Sequence, residues 1–354
     1  MIQDIPEKER HIGYACSYVP VEIILAGGMV PWRLLPKRVS ADADAYIASA
    51  TCCHIKGIFS EALRGEYDHL DGIILADSCD GMRRLADILS SHARNIPVLF
   101  LDIPKKKEAD SISCFAFSLQ KLIDDMQREF SGRPVTTEQL QTAIRECNSV
   151  RRLMSEVFII QKNEGRGIGG LALLDLCREA GRTKPDAFSQ SLKTFIKNTE
   201  DTPLPSEIPR VVLTGNAFHQ PEVIAHIEQA RGRIVALDSC IGERYFRTIV
   251  HEDGSDPVIA LAERYLLKSP CARMDGMGER IDYLRTLIRE SRANGVICLT
   301  PKYCDTLLYE LPLLKDRAGV PFLAIEHDPD GLSAQAVTRI EAFLEMLKGE
   351  KVHA

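Results

Sequence analysis

Short continuous runs of Val, Ile and Leu recur along the chain, and longer stretches of helical period separate them. In the first part the runs are Gly72–Ala76 and residues 97–101; in the last part they are 210–214, 233–237, 295–299 and 320–325. Runs that are apolar at every position suit strands covered on both faces, as in a parallel sheet. Between them, residues 220–231 set Val223, Ile224 and Ile227 on one side, and 280–293 do the same with Ile281, Leu284, Leu287 and Ile288. Strand, helix, strand at this spacing predicts βαβ units and a doubly wound α/β fold.

The middle of the chain lacks strand patterns. Thr137–Lys162 reads as one long amphipathic helix with Leu140, Ile144, Cys147, Met154 and Phe158 toward a core, and further helices are predicted at 171–180 and 187–198. A Pro- and acid-rich linker follows at 200–209. The expected organisation is a first α/β domain at 1–130, a helical connecting region at 131–205 and a second α/β domain at 206–354, which suits 354 residues at about 150 per domain. The segments ADSCDG (76–81) and LDSCIG (237–242) each follow a strand, and this echo suggests a duplicated half.

Composition narrows the classes. A chain that is 45% hydrophobic is not disordered, and 44 Lys+Arg against 50 Asp+Glu leave a charge of −6, so no basic footprint points to nucleic acid. The polar, acidic first ten residues do not read as a signal peptide, and no apolar run approaches membrane-spanning length, so no membrane partner and a cytoplasmic location are expected. The outlying number is 11 cysteines. In a reducing compartment these are packed hydrophobes, metal ligands or nucleophiles.

Position separates them. Ligands of open α/β sheets bind beyond the carboxyl ends of the strands, and Cys79, Cys240 and Cys304 fall just after predicted strands. Cys298 lies inside a strand, Cys147 and Cys177 lie on helix faces, and Cys114 lies beside Phe115 and Phe117; all four read as packing. Cys16 and Cys271 sit in turn-like contexts open to either role, and of the vicinal pair Cys52 and Cys53 at most one is expected to bind a metal. No C-x-x-C or His spacing marks a zinc site, whereas thiols from distant loops suit an iron–sulfur cluster. Three thiolates on a four-iron cluster leave one iron open to substrate. GRGIGG at 165–170 matches G-x-G-x-x-G, but a helix precedes it where the dinucleotide fingerprint needs a strand, so a helix–helix turn is expected. There is no P-loop and no G-x-S-x-G elbow, so any ATP hydrolysis belongs to a partner.

Ordered motifs nearly end to end carry a family likeness: GYACSYVPVEII (13–24), AGGMVPWR (26–33), YDHLDGII (67–74), DSCD (77–80) with Arg83 and Arg84, DSCIGERYF (238–246), GVI (295–297), KYCD (302–305) and TRIEAF (338–343). The chain resembles the D-component family of 2-hydroxyacyl-CoA dehydratases, which also contains benzoyl-CoA reductase subunits. The resemblance implies two flavodoxin-like domains with helical additions, paired subunits, and a [4Fe-4S] cluster held by Cys52, Cys79 and Cys304. The Cys52 position rests on Lys56 four residues on, and Cys53 departs from the proline the family often has there. Cys16, Cys240 and Cys271 are second-rank candidates, which would matter more for a bridged double-cubane cluster, as in one branch of the family. Glu22, Arg33, Asp80, Glu243 and Lys302 sit in family-like motifs but read as structural or surface groups, and no catalytic side chain is singled out.

The implied chemistry is radical. A separate ATP-hydrolysing iron–sulfur activator drives one electron into the component. A ketyl radical on an (R)-2-hydroxyacyl-CoA then expels the hydroxyl, and the enoyl-CoA follows. A length of 354 residues suits the shorter, beta-like subunit. The alternatives are an ATP-dependent reductase component (a benzoyl-CoA reductase subunit or a double-cubane reductase), an electron-relay subunit, and a structural chaperone with packed thiols.

Overall fold

The computed structural model describes residues 9–92, 96–131, 134–163, 167–199, 208–218, 220–328 and 331–350. The N-terminal segment 1–8 and most of the expected linker, residues 200–207, lie outside the described residues. Eight strands form two sheets: β1 (His11–Tyr14), β2 (Val30–Arg33), β3 (Gly72–Ala76) and β4 (Val98–Leu101), then β5 (Arg210–Gly215), β6 (Arg233–Asp238), β7 (Gly295–Pro301) and β8 (Phe322–His327). The orders are β2-β1-β3-β4 and β6-β5-β7-β8, and every pairing is parallel. Each sheet therefore has the flavodoxin-like 2-1-3-4 order of a doubly wound α/β fold.

The helices in chain order are α1 (Val21–Ala26), α2 (Cys53–Leu63), α3 (Asp80–His92), α4 (Ser111–Met126), α5 (Thr137–Lys162), α6 (Gly170–Glu179) and α7 (Pro185–Asn198). There follow α8 (Pro221–Gln229), α9 (Glu243–Phe246), α10 (Pro257–Leu267), α11 (Met277–Ser291), α12 (Asp305–Arg317) and α13 (Ala334–Glu350). Among the described residues, no helix is long and apolar enough to cross a membrane. Alternation along the strands divides the cores. Ile12, Tyr14, Ile74 and Ala76 face α1 and α4, whereas Ile73 and Leu75 face α2 and α3. In the second sheet Val211, Leu213 and Ile297 face one core while Val212, Val296 and Cys298 face the other.

The long helix α5 ties the two halves together. A capping box of Thr136 and Gln139 starts it. It packs against α1 and α7, and α10 packs on α4, so an excursion from the second half completes the core of the first. Arg151 of α5 donates to the Glu22 carboxylate of α1, and the Tyr265 hydroxyl of α10 donates to the same carboxylate at 2.8 Å. All three side chains are buried. Burial pushes the Glu22 carboxyl up, but Arg151 and Arg264 outweigh it and hold it below its ordinary value.

The repeated topology corrects the motif echo. By strand order the counterpart of β3 is β7, whereas DSC at 238–240 begins on the last residue of β6, the counterpart of β2. The halves repeat in architecture, but the two DSC segments stand at non-equivalent strands. What they share is local: Asp77 accepts from Arg83 and Asp238 accepts from Arg244, each six residues on.

Candidate functional site

Both sheets have their order reversal beside their first strand, between β1 and β3 and between β5 and β7, and these crevices open onto one cavity of about 340 Å³. Cys52, Cys79 and Cys304 all line it, and so do Cys16, Cys240 and Cys271. Six of the 11 cysteines, the three first-rank and three second-rank candidates, therefore share one chamber. All are free thiols. Cys53 does not line it: its thiol donates to the His327 carbonyl at 3.4 Å, and its N–H donates to the Lys302 carbonyl at 3.0 Å. That docking brings the start of α2 against the turn between β7 and α12, and so sets Cys52 beside Cys304.

Each of the three first-rank thiols sits immediately before a helix. Cys52 is the N-cap of α2, Cys304 is the N-cap of α12, and α3 begins at the residue after Cys79. The positive dipole end of a helix favours thiolate over thiol, a pull that burial outweighs at Cys79. The Met82 N–H points at the Cys79 sulfur at 3.4 Å, and the Asn216 side-chain amide donates to the Cys304 sulfur at 3.6 Å. The Cys304 thiol is held below its ordinary range, first by a hydrogen bond with Cys52, then by the Leu307 N–H, Asn216 and Thr306 against burial. The same contact with Cys304, followed by burial, drives Cys52 upward. Burial pushes Cys79 up to about 11. Tyr303, just before Cys304, has φ 62, a left-handed conformation that a bulky aromatic adopts only where its surroundings impose it. It turns the chain so that Cys304 enters the chamber.

Soft thiols from three separate loops, two of them in contact, suit iron–sulfur ligation in their donor chemistry. Among the described residues no three His, Cys, Asp or Glu side chains converge closely enough to share a single metal ion. A multi-iron cluster does not require its ligands to meet at one point.

The remaining sequence candidates disperse. Glu22 is taken up by the Arg151 pair, and Glu243 pairs with Lys162 outside the thiol chamber. Lys56 pairs with Asp44, and Lys302 lies 3.5 Å from Asp328, so neither serves the sulfurs. Asp80 and Arg33 line the chamber. Cys147, Cys177 and Cys298 are buried as expected. Cys114 is not: it is exposed, because α4 turns Phe115, Leu119 and Leu122 inward and carries the preceding position out to solvent. Of the 165–170 glycine segment, Gly165 and Arg166 lie outside the described residues. Gly170 opens α6, and its N–H is occupied by the Glu228 carboxylate. Asn216, which the sequence reading missed, follows β5 with no signal beyond its place at a strand end.

A family model described as 2-hydroxyglutaryl-CoA dehydratase, D-component, matches residues 16–347. The (R)-phenyllactyl-CoA dehydratase beta subunit of Clostridium sporogenes is 25% identical over 345 residues, 96% of this chain and 92% of that one. A benzoyl-CoA reductase subunit of Thauera aromatica is 28% identical over 330 residues, covering 89% and 85%. The beta subunit of (R)-2-hydroxyglutaryl-CoA dehydratase of Acidaminococcus fermentans is 26% identical over 352 residues, covering 96% and 93%.

Proposed function

The chain belongs to the 2-hydroxyglutaryl-CoA dehydratase D-component family, and from that premise we propose that it is the beta-like iron–sulfur subunit of an (R)-2-hydroxyacyl-CoA dehydratase, a hydro-lyase. The observation that carries this reading is the convergence of Cys52, Cys79 and Cys304 on one chamber beyond the strand ends of both sheets. Those three thiolates would hold a [4Fe-4S] cluster, and the Met82 N–H and the Asn216 amide would brace two of the sulfurs. Bound there, the cluster would supply one-electron chemistry and an iron free of thiolate as Lewis acid. The chain's own part is to hold the sulfurs, shape the chamber around them and limit the access of water and oxygen to it. In the proposed reaction the thioester carbonyl gains one electron and the ketyl radical expels the 2-hydroxyl. A β-proton then leaves, and the electron is recovered with the enoyl-CoA. The proposed partners are a homologous second dehydratase subunit, in keeping with two relatives named as beta subunits, and an ATP-hydrolysing iron–sulfur activator. A cytoplasmic location belongs to the same reading.

The 28% identity to a benzoyl-CoA reductase subunit favours a second reading, an ATP-dependent reductase component. A panel of 2-hydroxyacyl-CoA thioesters, incubated anaerobically with the chain, its partner subunit, activator and ATP, separates the two. Enoyl-CoA formation on at least one thioester is expected. Turnover of benzoyl-CoA alone would replace the dehydratase reading with the reductase, and no turnover of either would overturn both.

A further inference from the structure

Arg33 closes the carboxyl end of β2, is only 4% exposed and lines the thiol chamber. Of the other buried arginines, Arg151, Arg244 and Arg280 each meet a carboxylate, of Glu22, Asp238 and Glu310 in turn, and Arg264 gives its guanidinium to the Tyr245 and Thr248 carbonyls. Arg33 has no such partner among the described residues. Its Nη2 points at the Cys240 sulfur at 3.7 Å, its guanidinium lies 5.1 Å from the centre of the Tyr14 ring, and its Nε has no hydrogen-bond partner. A guanidinium does not shed its proton, so the charge stays, and a desolvated cation without a counter-charge is destabilising. Nor is the residue loosely placed. The Arg33 N–H donates to the Gly181 carbonyl at 2.8 Å, and Arg182 donates to the Arg33 carbonyl at 3.1 Å. A Cβ at Gly181 would sit 2.8 Å from the Arg33 Cβ, so only glycine lets the two segments approach this closely. The chain has built a fixed cation into the wall of the chamber.

A hydrogen-bonded path links this cation to a first-rank thiol. Arg33 donates to Cys240, the Cys240 thiol donates to the Asn216 carbonyl at 3.4 Å, and the Asn216 amide donates to Cys304. We propose that Arg33 is the fixed counter-charge for an anionic metal–thiolate group in the chamber, where it raises that group's reduction potential. The inference rests on the cluster reading above. A [4Fe-4S]2+ core with three thiolates would carry a net charge of −1, one-electron reduction would make it −2, and a cation held in a low-dielectric wall stabilises the more negative reduced form more than the oxidised one.

The test compares wild type, Arg33→Met and Arg33→Lys after anaerobic iron–sulfide reconstitution, with the iron count, the midpoint potential by redox titration followed in EPR, and thermal unfolding of the iron-free chains. Arg33→Met is expected to keep its iron while its reduction constant falls about tenfold, a negative shift of about 59 mV for one electron. Arg33→Lys keeps the charge and should stay near the wild-type midpoint. Iron-free Arg33→Met should unfold no earlier than iron-free wild type, since an uncompensated charge has been removed, whereas a purely structural arginine would lower that temperature. Loss of iron from Arg33→Met but not from Arg33→Lys also supports the proposal. An unchanged midpoint in Arg33→Met, an earlier iron-free unfolding, or loss of iron from both variants overturns it and leaves the cluster reading standing. No iron in reconstituted wild type overturns both.

Discussion

Cys79→Ala and Cys304→Ala are each expected to strip the chain of iron and its visible chromophore, while Cys147→Ala retains both. The contrast follows from placement. Cys79 and Cys304 stand at the starts of α3 and α12 with donors aimed at their sulfurs, and both face the chamber. Cys147 is buried on the inner face of α5 among the apolar residues of the core, and burial foremost drives its thiol well up. Losing one of three ligands should lower turnover by at least about 100-fold, the upper range for removing even an outer-shell partner of a metal ligand. Losing a packed thiol should cost about 1 kcal/mol of stability and no iron. The vicinal pair gives an internal control: Cys52→Ala should behave like Cys304→Ala, and Cys53→Ala like Cys147→Ala, because Cys53 turns away to the His327 carbonyl. Equal losses across all five variants would remove the distinction between strand-end and packed thiols.

Glu22→Gln is expected to destabilise the chain by about 3–5 kcal/mol, read as a lower urea midpoint, because it leaves the Arg151 guanidinium buried without its counter-charge. The pair joins α1, α5 and α10, so its loss acts where the two halves meet. Arg151 also donates to Asn148 at 3.0 Å, and Asn148 in turn fastens the Val250 carbonyl at 2.8 Å, which makes the network larger than one contact. The folded carboxyl lies below its ordinary value of 4.5, so the stabilisation is present above that value and is lost as pH falls through the depressed one. Replacing both partners together, as Glu22→Leu with Arg151→Met, should recover much of the loss. A single-variant effect under about 1 kcal/mol would mean that the buried charge is screened from outside the network.

The strands legible in the sequence, β3 through β8, are continuous or nearly continuous apolar runs. The two that are not, β1 and β2, are only four residues each and read HIGY and VPWR. Glycine and proline break the apolar pattern there, for reasons that exist only in three dimensions. A Cβ at Gly13 would meet Leu70 at 2.8 Å, and Pro31 is tolerated because β2 is an edge strand. The site is legible in part for a related reason. Cys79 and Cys304 follow strands whose apolar runs are unbroken or nearly so, and their position beyond a carboxyl end can therefore be read from the chain alone. Cys52 follows no strand and needs the family likeness; its place beside Cys304 depends on α2 docking against Lys302 and His327, a contact between residues far apart in sequence. Arg33 reads as structural because nothing local tells a paired arginine from an unpaired one.

Everything proposed for the thiol chamber depends on its holding a four-iron cluster. Iron and acid-labile sulfide per chain, measured on wild-type protein purified under strict anaerobiosis, decide that point. About four of each per chain are expected, as in a single cubane. Protein that is folded yet free of iron and sulfide under those conditions would mean that the chamber holds no cluster.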